Sequence, residues 1–441
     1  MMNKDRGLRP AIARSTAIII AVVVVIAILG AAYYWSLPPP LVGTIKIGLM
    51  TSLSGAGAAA GLDQQRAATL AVEEINAKGG VFLSKEGGRF NLTLVVADDQ
   101  SSTSAAVAAM TQLVVRDKVD IVIGGLGSAF ALAALPVVIE NKVPYIPTPS
   151  TPQLTRTADY GPDPSKYMVF HYQATGLQYG ATIADFLAEV VRPAVAPGRD
   201  LTVAWLYQDS AFGRDFFTGY ERRVAEKGYP LKLVASEKFA IGTTDYRAVL
   251  TKIKAANPDV LIPMGFTSES VSMIKQAVTE VGIKAQIGPI CACADDPSFY
   301  RTVGPQGDGV TIVSLYAAYA LPKGEQFKKW QEIREKFQKR YNTLPGLLGV
   351  SAYDAVYIAA KAFEVAGTRD KAEVIKALGG LSMPQLTLPV KGGKLSFDPV
   401  YREVEWLLIA QQFYWDPSLG EVRARVIWPS DVAEASFKPI P

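Results

Sequence analysis

Along most of the chain, short segments without a polar face alternate with longer ones whose apolar residues recur every three or four positions. Residues 45–50 form a short Ile-rich run, and the small-residue loop Thr51-Ser52-Leu53-Ser54-Gly55-Ala56-Gly57 follows. In residues 62–77, Leu62, Ala67, Leu70, Ala71 and Ile75 keep helical spacing, and Lys78-Gly79-Gly80 reads as the stop. The spacing predicts further strands over 91–97, 119–124 and 143–146 and helices over 104–117 and 129–141. Strands that are apolar on both faces and separated by helices imply an α/β fold with a parallel sheet covered on two sides.

The same order recurs further along the chain. Residues 201–207 match the first strand, 214–227 the first helix with Gly228 as its stop, and 231–236 the second strand. Pro258-Asp259-Val260-Leu261-Ile262-Pro263 parallels Val119-Asp120-Ile121-Val122-Ile123-Gly124, and residues 284–291 parallel 142–149. This predicts two similar doubly wound, Rossmann-like lobes. After the strand over 310–314 come an amphipathic charged helix over 324–341 and a long apolar one over 349–367. Both lobes are complete by then, so these helices pack back onto them, and the repeated crossings make a hinge. The expected organisation is lobe one over 44–170 and 317–390, and lobe two over 171–316 and 391–441, the last including a C-terminal tail.

Ahead of the lobes, Ser15 to Tyr34 is a near-continuous apolar run, with no charge between Arg14 and Lys46. A helix of that length spans a hydrocarbon layer of about 30 Å. Lys4, Arg6, Arg9 and Arg14 precede it, and Tyr33, Tyr34 and Trp35 stand where an interfacial aromatic belt belongs. We therefore expect a cytoplasmic basic segment over 1–14, a transmembrane anchor over 15–36 and a stiff Pro-rich spacer over 37–43. The body then lies on the outer face of the cytoplasmic membrane. A cleaved signal peptide is the alternative, with Gly30 and Ala32 before the cut and a secreted product, although the run exceeds the usual h-region.

Charge and composition narrow the function classes. The 45 Lys+Arg against 41 Asp+Glu leave +4 over 441 residues, which makes no basic stripe for nucleic acid. The single histidine, His171, and the two cysteines, Cys291 and Cys293, weaken zinc and Ser/His or Cys/His catalysis. One residue between the cysteines is poor geometry for a mutual disulfide, so free thiols are expected. His171 is expected to be structural, at the crossover between lobes. No enzymatic activity, cofactor or metal is expected.

In open parallel sheets the ligand sits at the carboxyl ends of the strands. The loops there, 51–61, 124–128, 148–151, 208–213, 265–269 and 289–296, are rich in hydroxyls, Gly and Phe and hold almost no base or paired carboxylate. That is a lining for binding. The Gly-rich stretch Gly55 to Gly61 imitates a dinucleotide fingerprint, which would suit an NAD(P) oxidoreductase. Its first Gly comes too late after the strand, and Asp98-Asp99 lie about 40 residues on where about 20 are needed.

The segment IKIGLMTSLSGAGAAAGLDQQRAATLAVEEINAKGGV, residues 45–81, resembles the opening of the type I periplasmic binding proteins of the leucine/isoleucine/valine-binding family. The resemblance continues through VDIVIGGLGSAFALAALPVVIENKVPYIPTPSTPQLT, LYQDSAFGRDF and SAYDAVYIAAKAFEVAG, and covers roughly residues 44–415. It implies a Venus-flytrap receptor that closes on a small ligand and delivers it to the permease of an ABC transporter.

Carried over position by position, the resemblance assigns the ligand carboxylate to Gly127 and Ser128 and to Thr148, Pro149, Ser150 and Thr151. Hydroxyls and free backbone N–H groups suit a carboxylate because they are directed, charge-assisted donors. In the second lobe, Phe212 and Phe266 match two aromatic positions and pack the ligand's apolar part. The family's amino-acid binders place a carboxylate after a Gly-Pro pair, whereas this chain reads Gly288-Pro289-Ile290. Asp295 or Asp296 would have to reach the ammonium instead, since a buried unpaired ammonium costs several kcal/mol. An amino acid is the first expectation for the ligand, and an amino-free acid or amide the second. Ala60, where the family often has an aromatic, widens the pocket.

Overall fold

The computed structural model describes residues 20–29, 40–290 and 292–440. The basic segment over 1–14, most of the apolar run and the start of the spacer lie outside the described residues, as do Cys291 and the side chain of Cys293. Within the apolar run, residues 20–29 are helical, and their large apolar side chains are exposed, from 50% at Val24 to 63% at Leu29. No helix among the described residues is long and apolar enough to cross a membrane.

Two sheets carry the fold. The first is built from β1 (Leu41–Thr51), β2 (Val81–Leu83), β3 (Gly88–Asp98), β4 (Ile121–Gly124) and β5 (Tyr145–Pro147), in the order β2-β3-β1-β4-β5. All its pairings are parallel except β2, which turns back on β3. The register sets Ile45, Ile47 and Leu49 opposite Leu92, Leu94 and Val96. Every residue of β4 is buried, as a strand with helices on both faces requires. Helices α1 (Ala58–Ala77), α2 (Thr103–Thr111) and α3 (Ser128–Glu140) connect these strands.

The second sheet repeats the pattern with β6 (Leu201–Gln208), β7 (Leu231–Phe239), β8 (Val260–Met264) and β9 (Gln286–Ile287), in the parallel order β7-β6-β8-β9. Its helices are α4 (Gly176–Phe186), α5 (Ala211–Lys227), α6 (Arg247–Ala255) and α7 (Thr267–Lys275). Gly228 ends α5 in the left-handed region, at φ 60°, where a side chain would be strained. Past β9 a parallel bridge from Ile290 to Ile312 leads into an antiparallel extension. It consists of β10 (Thr311–Ser314), then two strands from near the C-terminus, Ile409–Asp416 and Glu421–Trp428. The alternation of strand and helix did not predict this antiparallel return.

Between these, α8 (Pro297–Thr302) precedes β10, and α9 (Lys328–Tyr341), α10 (Leu347–Ala366) and α11 (Lys371–Gly379) follow it. α9 buries Trp330, Ile333, Arg334 and Phe337, one stripe at helical spacing. It is tied to α1 by Arg340 to Glu73 at 2.9 Å and Lys336 to Glu74 at 3.1 Å, and α10 packs along α1. The chain thus passes between the two halves at 171–175, again between β10 and α9, and again on its way to the C-terminal strands. His171 stands on the first passage, buried, with Nε2 bonded to the carbonyl of Pro149, and burial holds its imidazole neutral.

The internal repeat has a physical signature at the start of α1 and α5. An ideal Cβ on Gly61 would lie 1.7 Å from the carbonyl oxygen of Ser52, and one on Gly213 would lie 2.1 Å from that of Gln208. Only glycine lets each helix begin so close to the end of its strand. That closeness brings the first turn of both helices to the space between the sheets.

Candidate functional site

At the carboxyl ends of the two sheets lies a cavity with about 210 Å³ accessible to the centre of a water molecule. Its walls come from the loops and helix starts after β1, β4, β5, β6 and β8, the passage at 171–175 and the starts of α8 and α10. None of its described lining residues is charged. Among the described residues no cluster of three or more His, Cys, Asp or Glu is placed to hold a metal.

The polar wall belongs to the first half. Ser128 opens α3, is 2% exposed, and its Oγ has no hydrogen-bond partner among the described residues. The first N–H groups of a helix also lack intrahelical acceptors, so this corner presents several donors to an anion. Ser150 lines the cavity nearby. Thr148 lines it too, but its hydroxyl is committed, donating to Gly125 O at 2.8 Å and accepting from Gln64 Nε2 at 2.9 Å. Gln64 in turn accepts from Thr51 Oγ1 at 2.6 Å, so one buried amide ties together the ends of β1, β4 and β5.

The apolar wall is a run of aromatic rings. Tyr179 stacks on Phe216 at 4.9 Å, Phe216 meets Phe212 at 5.0 Å, Phe212 lies 6.0 Å from Phe266, and Phe266 reaches Phe130 of α3 at 6.4 Å. The last pair joins the two halves across the cavity. Phe266 is held by Glu269, whose Oε2 accepts its N–H at 2.8 Å and the Gln208 amide at 2.8 Å, while Oε1 accepts Gly242 N–H at 2.8 Å. Glu269 therefore does for the second half what Gln64 does for the first.

Of the residues expected at the site, Ser128, Thr148, Pro149, Ser150, Phe212 and Phe266 are brought together on the cavity wall, with Ala60 beside them. Gly127, Thr151 and Asp295 are not among the lining residues. Gly127 is the N-cap of α3, one step behind Ser128. Thr151 donates its hydroxyl to Asp215 at 2.7 Å. Asp295 stands apart from the cavity wall. It is fully buried and accepts from Tyr300 Oη at 2.7 Å and Ser314 Oγ at 2.8 Å, because the sheet extension through Ile290 and β10 draws it inward.

Other carboxylates near the cavity are committed as well. Asp296 accepts from Ser298 N–H at 2.7 Å, and Asp63 accepts from Gly346 N–H at 2.9 Å and Gly349 N–H at 3.0 Å. Burial pushes both carboxyls up, and the like charge of Asp296 pushes Asp63 further. The expectations did not include Tyr179, Phe216, Ser298, Thr302, Leu347 and Leu348, all of which line the cavity. Phe216 stands one turn from Phe212 and could have been read from that spacing. Gln173, on the passage between the halves, also lines it.

A family model described as periplasmic binding protein matches residues 44–397. The leucine-, isoleucine-, valine-, threonine- and alanine-binding protein of Pseudomonas aeruginosa is 27% identical over 366 residues, 80% of this chain and 86% of that protein. The branched-chain amino acid transporter substrate-binding protein of Streptococcus pneumoniae, solved with isoleucine, superposes with a TM-score of 0.70 at 25% identity, over 88% of this chain and 100% of that one. A solute-binding protein of an ABC transporter from Rhodopseudomonas palustris, solved with 3,4-dihydroxybenzoic acid, shares the fold with a TM-score of 0.70 at 21% identity, covering 89% and 98%.

Proposed function

The chain belongs to the periplasmic binding protein family, in its leucine/isoleucine/valine-binding branch, and from that premise we propose which solute its cleft takes. The protein is the substrate-binding receptor of an ABC transporter, and its ligand is a small carboxylate with an aromatic or branched apolar body and no ammonium group. The observation that carries this reading is the buried, unpartnered Ser128 hydroxyl in a lining without charge. The carboxylate docks on Ser128, Ser150 and the start of α3, while Phe212, Phe216 and Phe266 cover the apolar body. An ammonium would meet no carboxylate on the described wall, at a cost of several kcal/mol.

The two sheets with their helices act as lobes, the first over 44–170 and 317–390 and the second over 171–316 and 391–441. Only the closed form touches the ligand from both sides, so the ligand favours closure and the closed form engages the permease. The site performs no chemistry on its cargo. The apolar run over 15–34 tethers the receptor to the outer face of the membrane, a reading supported by its length, its basic flank and the exposed side chains at 20–29.

An amino acid is the second reading, favoured by the ligands in the names of the Pseudomonas and Streptococcus proteins. Melting temperatures against a panel of benzoates, branched keto acids and amino acids separate the two. A ligand at 100 times its Kd stabilises by about 2.7 kcal/mol. The benzoates or keto acids are expected to raise the midpoint. A rise with amino acids alone would overturn the ligand class.

A further inference from the structure

Thr151 stands next to the cleft, yet its hydroxyl serves another partner. Thr151 Oγ1 donates to Asp215 Oδ2 at 2.7 Å, and Tyr160 Oη donates to Asp215 Oδ1 at 2.7 Å. Both oxygens of one carboxylate on α5, in the second half, are thus held by hydroxyls from the chain that follows β5 in the first. Asp215 is 1% exposed and Thr151 is fully buried, while Tyr160 is half-buried at the edge of the contact. Two turns along α5, Arg222 stands over the Tyr160 ring, 4.9 Å from its centre. The same helix carries Phe212 and Phe216 into the cavity.

We propose that Asp215, Thr151 and Tyr160 form a latch between the two halves, which holds α5 and its two phenylalanines in the closed position. Asp215 is then a positioning residue for binding. When the cleft opens, the carboxylate leaves two directed donors that are strengthened by their dry surroundings. The latch touches no solute, so it sets the opening rate for every solute alike, whereas Ser128 and the aromatic rings choose among solutes. This inference rests on the reading of the cleft as the solute site.

The test uses the full chain in detergent with a double variant, Thr151→Val with Tyr160→Phe, that keeps shape and removes both hydroxyls. Dissociation rates are followed for 4-hydroxybenzoate, 4-methyl-2-oxopentanoate and leucine, and the separation of the halves is followed by energy transfer between labels on each. We expect every solute that binds to leave about tenfold faster, by a common factor, and the ligand-free protein to shift toward the open separation. Thr151→Ser restores the hydroxyl and is expected to behave as the parent chain. Tyr160→Phe alone, the milder change, is expected to give a smaller acceleration in the same sense.

Unchanged dissociation together with an unchanged ligand-free separation would overturn the latch, as would an effect confined to one solute. If no solute binds the parent chain, the reading of the cleft fails. The ligand-free separation still decides the latch in that case.

Discussion

Replacing Ser128 by alanine separates what its hydroxyl does for the fold from what it does for the ligand. In the ligand-free protein the side chain is 2% exposed and Oγ has no partner among the described residues. Leaving a buried polar group unsatisfied costs about 1–3 kcal/mol, so its removal relieves a penalty that a cavity of one oxygen atom partly restores. The melting temperature without ligand is therefore expected to stay level or rise by about 1–3 °C. In the proposed complex the hydroxyl donates to the ligand carboxylate, and losing that charge-assisted bond is expected to cost about 1.5–3 kcal/mol, or about 10- to 150-fold in Kd. Thermal melts without ligand and titration calorimetry with the bound acid measure the two effects. A Kd within about twofold of the parent would refute the assignment. A fall of several degrees in the ligand-free melt would place the hydroxyl in the fold instead of the site.

Phe266→Ala removes the ring that bridges Phe212 and Phe130 across the cleft. It is expected to weaken binding of the acid more than tenfold while costing about 3 kcal/mol of stability, measured by calorimetry and denaturant melts. Gly61→Ala places a Cβ 1.7 Å from the Ser52 carbonyl and is expected to destabilise by several kcal/mol or prevent folding, whereas Gly392→Ala, with open space around it at φ +72°, costs about 1 kcal/mol. Burial pushes Asp295 up from about 3.8 to about 6, so the folded chain binds more protons than the unfolded one between those values. Stability is expected to fall as the pH rises through that window and to level off above it. Asp295→Asn should remove about 2 kcal/mol of the stability change between pH 4 and pH 6.5, read from urea melts at those two values.

The repeat was legible because a buried parallel strand has no polar face, and β1, β4, β6 and β8 all show that in their residues. The antiparallel C-terminal strands were not legible. Gln411 and Gln412 in one and Arg423 and Arg425 in the other break the apolar run, and what pairs them is a chain that returns from far away. Helices α1, α5 and α10 begin two to four residues earlier than their apolar spacing predicts. Ala58-Ala59-Ala60 and Ala211-Phe212-Gly213 carry no periodic signal, and those early residues are the ones that reach the cleft.

At the site, Ser128, Phe212 and Phe266 could be read because each follows directly on a strand end. Thr148 and Thr151 looked like equivalent donors in sequence, but the Gly125 carbonyl and the Asp215 carboxylate, brought up by the fold, take their hydroxyl protons. Tyr179, Ser298 and Thr302 depend on how the chain crosses between halves, which local spacing does not encode. Nor does it encode the partners of Asp295, Tyr300 and Ser314, which the sheet extension brings to it.

Whether the cleft receives a carboxylate and has no place for an ammonium turns on one pair of ligands. Leucine and 4-methyl-2-oxopentanoate share a carbon skeleton and a carboxylate and differ at the carbon that bears the ammonium or the ketone. Titration calorimetry of the full chain with this pair, beside 4-hydroxybenzoate, is the most direct test. An amino-free acid is expected to bind at least about 100-fold more tightly than leucine, the equivalent of about 2.7 kcal/mol. Leucine binding as tightly as its keto acid, or more tightly, would contradict it and mean that Asp63 or Asp296 turns toward the ligand.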